Sequence, residues 1–404
     1  MYEKTIPCYC VSRELELMLR LALLLPVEQI PEDIDWERFR KVMKKHRIYP
    51  LVIRGLRRLP AQMLEAYPVL REYRSRQNYY VNENLKLIRV LAYVARAFAE
   101  AGIDMISMKG PLLSMELYGD PAMRTSHDLD IMVSPEDFWR GCKCLMDLGF
   151  EIIEEPELTT EKRVRAYMRV SPNNHCVFRL DNVLVELHWR TTLKDGISFR
   201  DLWENRDTKL LLGVPVSQMG AADKLPHLID HAADHAFMRL RWLLDLYEFQ
   251  RKKLADWDRV LEDMGRIGNR TLLPEALLVM LRLQVLPMEQ ICVGSMRAWR
   301  EGDQVRVCCG EDLRVDVETA VELSSLAWPM MDRDLDRDAP EFQAYLKQMP
   351  VMESEKPAME RIWNRFWPNV EDFAWFDLPD WLFWVYFIIR PFNWLRRKLF
   401  GGKE

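Results

Sequence analysis

His127-Asp128-Leu129-Asp130-Ile131-Met132-Val133 decides the reading of this chain. Asp128 and Asp130 are one residue apart in an apolar run, and side chains on a strand alternate between faces. Leu129, Ile131 and Val133 can therefore enter a core while both carboxylates emerge together on the other side. Two acids so placed can hold one divalent cation, since such hard ions take oxygen ligands. A second run, Val183-Leu184-Val185-Glu186-Leu187-His188-Trp189, repeats the pattern. It puts Glu186 and His188 on one face and Val183, Val185 and Leu187 on the other, so a third carboxylate is available.

Working outward, Ile103-Asp104-Met105-Ile106-Ser107-Met108 predicts a short strand, and Lys109-Gly110-Pro111 turns it into a helix whose first turn accepts proline. After the Asp128 strand, Ser134-Pro135-Glu136-Asp137 predicts an N-cap, a first-turn proline and acids suited to the positive helix end, with the helix running to about Leu148. Phe150 to Glu154 is strand-like. His175 to Leu180 and Val183 to Trp189, separated by Asp181-Asn182, predict a β-hairpin. Helical periodicity marks Ser12 to Ala101 and resumes beyond Gly213, over Asp223 to Phe237, Leu240 to Lys253 and onward to about Leu286. The expected organisation is a helical region at 1–101, an α/β core with a mixed sheet at 102–215, a helical region at 216–290, and a partly helical region at 291–404 ending in an apolar and basic helix.

The chain has 404 residues, enough for two or three cores. Hydrophobic residues at 49% and charged residues at 29% fit a folded globular protein, and the net charge of -5 argues against general nucleic-acid binding. Its eight cysteines form no C-x-x-C pair, and the N-terminus lacks a basic and apolar leader. Free thiols and a cytoplasmic location are the expectation.

A paired carboxylate on one strand with a third on its neighbour is what metal-assisted phosphoryl or nucleotidyl transfer requires. Two Mg²⁺ ions can clamp the attacking and leaving oxygens while offsetting the repulsion among the acids. Lys109 and Gly110 add a cation and an approachable backbone for a triphosphate, and Arg124 offers another charge-assisted contact.

With those features in place, the chain resembles the nucleotidyltransferases of the DNA polymerase β superfamily, in particular the bacterial group described as uncharacterised nucleotidyltransferases. The resemblance runs through Met108-Lys109-Gly110-Pro111-Leu112-Leu113, Leu117-Tyr118-Gly119-Asp120-Pro121, Arg124 and Asp128-Leu129-Asp130-Ile131-Met132-Val133. It continues in Val185-Glu186-Leu187-His188-Trp189-Arg190 and in His231 to Asp245. It implies metal ligation by Asp128, Asp130 and Glu186, with Mg²⁺ or alternatively Mn²⁺, and transfer of a nucleoside monophosphate from an NTP to an acceptor hydroxyl with release of pyrophosphate. Glu186 would orient or deprotonate that hydroxyl. The acceptor classes open to it are a small molecule, a sugar, a protein or an RNA end. One departure stands out: the superfamily turn usually has Gly or Ser after its glycine, whereas Pro111 follows Gly110 here. Lys109-Gly110 looks like the subgroup's own version of the turn, which leaves open how the terminal phosphates are held but not the metal chemistry.

Other readings compete for these residues. Lys109 and Arg124 can be a surface lysine and a structural arginine, and His188 can be a site wall or a hydrogen-bonded core histidine. The whole fold can also serve a non-catalytic nucleotide-binding or interaction protein. His227, His231 and His235 share one helix face at four-residue spacing, which suits zinc or plain packing. Trp381 to Ile389, followed by Arg390, Trp394, Arg396, Arg397 and Lys398, is too short to span a bilayer at about 20 residues per crossing. It suits either peripheral contact of 377–400 with an inner membrane surface or docking on the same chain.

Overall fold

A computed structural model describes residues 1–349, apart from 172, 192–196, 334 and 336, and residues 366–400. The strands are β1 (Tyr2–Pro7), β2 (Met105–Ser107), β3 (Asp128–Val133), β4 (Glu151–Ile152), β5 (His175–Leu180) and β6 (Val183–His188). They continue as β7 (Asp207–Leu211), β8 (Val214–Gln218), β9 (Gln290–Val293), β10 (Met296–Glu301) and β11 (Gln304–Cys309). The chain divides into two compact units: Met1–Arg89, Gly110–Ser126 and 219–349 form one, while Val90–Lys109, His127–Gln218 and 366–400 form the other.

The second unit holds a seven-stranded mixed sheet in the order β4-β5-β6-β3-β2-β8-β7. β3 and β6 run parallel, and the chain between them supplies the crossover that a parallel pair needs. Leu129, Ile131, Val185 and Leu187 are fully buried on one face. Helix Phe138–Asp147 packs there at Gly141, where an added Cβ would lie 3.2 Å from Leu187 Cδ2 and 3.7 Å from the Phe98 ring. That close approach commits the apolar side of β6 to the core and leaves its polar alternates on the opposite face. Trp189 follows β6 and is buried edge-on against Phe138 and Tyr167. Gly102 and Gly149 take positive φ after the helices Gln77–Glu100 and Phe138–Asp147, the left-handed conformation that terminates helices at low cost.

The first unit is mainly helical. Helix Leu272–Arg282 is buried along its whole length, and a four-stranded antiparallel sheet in the order β1-β11-β10-β9 completes the unit. Ser12, Asp35 and Asp256 cap helices Arg13–Leu23, Trp36–His46 and Trp257–Arg266 by accepting backbone N–H bonds.

Several elements differ from the expectation. Ser134 does not cap a helix: its Oγ accepts from Asp137 N at 3.0 Å in a tight turn, and the helix begins at Phe138. Pro135 and Glu136 lie in that turn. Residues 214–218, expected to begin a return to helix, form β8, because Val214, Val216 and Gln218 alternate inward while Pro215 stays exposed. Tyr2–Pro7, inside the stretch expected to be helical, is a strand paired with Gln304–Cys309. The four-stranded sheet itself was not anticipated.

Candidate active site

β3 and β6 place their acids by register alone. Asp130 is directly opposite Glu186 across the parallel pair, Asp128 opposite Leu184, and Met132 opposite His188. Neighbouring strands lie roughly 4.8 Å apart, so Asp128, Asp130, Glu186 and His188 form one polar group on the sheet face away from Leu187. The β5–β6 hairpin adds a residue that the sequence did not single out: His175 is paired with His188. Asp181 takes φ +51° at its turn, a conformation that Asp and Asn tolerate better than most residues. A two-residue turn between alternating strands fixes this register, so counting back from it would have placed His175 beside His188.

The charges at this face are tightly arranged. Asp130 is 3% exposed, and the ammonium of Lys109, 9% exposed, lies 2.9 Å from its Oδ1. Lys109 thus offsets a buried carboxylate that would otherwise be expensive to desolvate. His188 Nε2 lies 3.4 Å from Glu186 Oε2 and 3.7 Å from Asp130 Oδ1. These contacts are within ion-pair reach but lack hydrogen-bond geometry, and among the described residues neither ring nitrogen of the buried His188 has a hydrogen-bond partner. Burial pulls His188 down, yet the adjacent Asp130 and Glu186 outweigh it and leave its pKa above the ordinary value. Burial pushes Glu186 up; His188 opposes this, while Asp130 and Asp128 add to it.

His175 is held differently. Its Nδ1 is 2.9 Å from Asn174 Oδ1, an acceptor, which assigns the proton to Nδ1 and leaves Nε2 with a lone pair. Burial and the neighbouring His188 lower its pKa to about 4, so its ring is neutral near neutral pH. The donor atoms of His175, Glu186 and His188 lie within 4.8 Å of one another. The face therefore offers three carboxylates and two imidazoles, and an orphaned, buried imidazole is the kind of group a cation would satisfy. These residues fit a divalent metal: carboxylate oxygens suit Mg²⁺, and imidazole nitrogen extends the range toward Mn²⁺ and Zn²⁺.

Gly110 and Arg124 belong to the first unit. Gly110 takes φ +83° and ψ -138°, a conformation restricted to glycine, and precedes helix Pro111–Tyr118 with Pro111 in its first turn. Lys109, at the preceding position, lies against Asp130. The Arg124 guanidinium donates through Nε to Asp245 Oδ2 at 2.7 Å, with both side chains 1% exposed, and Tyr118 donates to Asp245 Oδ1 at 3.0 Å. Arg124 N donates to Ser114 Oγ, which itself donates to Asp120 O. Arg124 thus ties the 119–126 segment to helices Pro111–Tyr118 and Leu240–Arg251.

His231 and His235 pack on the Trp242 ring at 5.5 and 5.1 Å between centroids, and His227 is buried on the same helix. That arrangement supports packing rather than zinc binding. Among the described residues the one group of three or more metal-capable side chains drawn together is His175, Glu186 and His188.

Residues 32–283 match a family model described as uncharacterised nucleotidyltransferase, which covers more than half of the chain. No curated protein and no solved structure matches it.

Proposed function

Since the chain belongs to the uncharacterised nucleotidyltransferase family, we propose that it moves a nucleoside monophosphate from an NTP to an acceptor hydroxyl, using the carboxylate face of β3 and β6. The observation that carries this reading is the pairing of Asp130 with Glu186 across two parallel strands, with Asp128 on the same face. Asp128, Asp130 and Glu186 would hold Mg²⁺, or Mn²⁺ with help from His188. When bound, the metal supplies charge that binds the phosphates and stabilises the negative charge developing in transfer.

The chain's own residues do the rest. Glu186, raised above an ordinary carboxylate by burial, accepts the proton of the acceptor hydroxyl. The acceptor oxygen bonds to the α-phosphorus as the bond from that phosphorus to the bridging oxygen breaks, and pyrophosphate leaves with the electron pair. His188, in ion-pair reach of Glu186, stabilises the site's negative charge between turnovers. Lys109 neutralises Asp130, a charge that a bound metal would supply in its place. Gly110 takes a backbone conformation open to glycine, and within its own unit Arg124 holds the 119–126 segment through Asp245.

A non-catalytic nucleotide-binding reading draws on one specific observation: the Lys109–Asp130 ion pair already neutralises an acid of the proposed metal site. One assay separates the two. Wild-type protein, given α-labelled NTPs, Mg²⁺ or Mn²⁺ and a small-molecule extract, should label an acceptor and release pyrophosphate in equal amounts, and Asp130→Asn should do neither. Metal-independent NTP binding without transfer would instead support the binding protein.

A further inference from the structure

Helix Val385–Phe400 presents itself inside out. Its inward side is polar: Asn393, fully buried, donates to Asp372 Oδ1 at 2.8 Å, and Arg390 lies 3.4 Å from Glu371 and 3.5 Å from Asp372. Arg397 also pairs with Glu371, and Tyr386 donates to Phe376 O at 2.6 Å. These bonds to helix Val370–Trp375 and the segment after it fix the helix's rotation, because rolling it would strand the buried carboxylate of Asp372.

The outward side is apolar. Trp384, Ile388, Phe392 and Leu395 follow one another at three- and four-residue spacing, the stripe an amphipathic helix normally buries, yet they are 60%, 54%, 64% and 47% exposed. Trp381, just before the helix, is 73% exposed. Ten of the seventeen large apolar residues exposed among the described residues fall between 366 and 395, so the apolar surface is concentrated in this one segment.

We propose that this stripe lies in the interface of an anionic lipid surface. Arg390 and Arg397 are engaged by Glu371 and Asp372, which leaves Arg396 and Lys398 as the helix's further cations, and the helix has no Asp or Glu of its own. A second copy docked on the stripe would set two such cationic helices together, which like-charge repulsion disfavours, whereas anionic headgroups complement them. Trp381 and Trp384, both largely exposed at the start of the stripe, suit the headgroup boundary. No helix among the described residues is long and apolar enough to cross a membrane, so the helix lies along the surface.

The test uses the full chain with vesicles of phosphatidylcholine alone and of phosphatidylcholine containing about one-quarter phosphatidylglycerol. The wild type should co-sediment with the anionic vesicles at least about tenfold better than with the neutral ones, with a blue shift in tryptophan emission and a decline as salt rises. A triple variant, Ile388→Ser, Phe392→Ser and Leu395→Ser, alters only exposed side chains. It should lose the binding while keeping the wild-type melting temperature and helical circular dichroism. The pair Arg396→Glu and Lys398→Glu should erase the preference for anionic vesicles. Equal binding to both vesicle types, or no binding to either, overturns the proposal. So does a dimer in sedimentation equilibrium that the triple serine variant dissolves, which would assign the stripe to a second copy.

Discussion

Two groups of buried charge in this chain are built on opposite principles. In the helical unit, Arg124 and Asp245 are each 1% exposed and matched: both oxygens of Asp245 accept, one from Arg124 and one from Tyr118. On the mixed sheet, three acids crowd one face with Lys109 against Asp130, and among the described residues the buried ring of His188 has no hydrogen bond. A carboxylate met at both oxygens holds a fold, since its buried charge is answered within the unit. An open network holds acids together at a cost in stability, which makes sense where something else completes it.

The contrast breaks most readily at Asp128. If the sheet face is an open site, Asp128→Asn should lower nucleotidyl transfer by at least about 10³-fold, or ~4 kcal/mol of barrier, while removing a like charge beside Asp130 and Glu186. Its melting temperature should equal or exceed that of the wild type. A variant that melts several degrees lower would make the sheet acids structural, like Asp245. The matched group should answer in the opposite way. Asp245→Ala leaves the buried Arg124 without its carboxylate and should destabilise the protein by about 3 kcal/mol in urea titration, the lower end for a broken buried ion pair. Stability within 1 kcal/mol of the wild type, at about that resolution, would show that the pair does not hold the fold.

The sequence exposed the site more readily than the network, for physical reasons. Alternation around Asp128, Asp130, Glu186 and His188 is local, and each strand reveals its two faces within seven residues. The acid pair therefore stood out. His175 needed one more step, the register set by Asp181-Asn182. The bond from Arg124 to Asp245 was not legible, because the two lie 121 residues apart and nothing local announces the pair. The same distance problem hid the second sheet: Tyr2 pairs with Cys309, and the alternation of Val305, Val307 and Cys309 does not name a partner at the start of the chain. Ser134 misled for the converse reason. A Ser-Pro-Glu-Asp run satisfies the local rules for a helix start, but Ser134 and Asp137 satisfy each other in a turn first.

Glu275 tests whether an incompletely satisfied acid always marks a site. It is fully buried in helix Leu272–Arg282, accepts from Tyr345 at Oε1 at 2.7 Å, and its Oε2 has no partner among the described residues. Burial raises its pKa from 4.5 to about 8, and the Tyr345 bond only partly offsets that. Unlike Glu186, it has no second acid and no histidine in its set. The open network around Glu186 is polyvalent, and a lone acid should act on stability only. Between these two pKa values the folded state keeps the proton and the unfolded chain has lost it, so stability falls as pH rises through the window. Gln cannot ionise. The urea midpoints of Glu275→Gln and the wild type should therefore diverge with pH, the variant gaining about 3.5 kcal/mol relative to the wild type between pH ~5 and ~8. Transfer activity at the lower pH should be unchanged. Parallel stability curves would mean that Glu275 ionises in place, and lost activity would mean that a single unsatisfied acid can belong to the reaction after all.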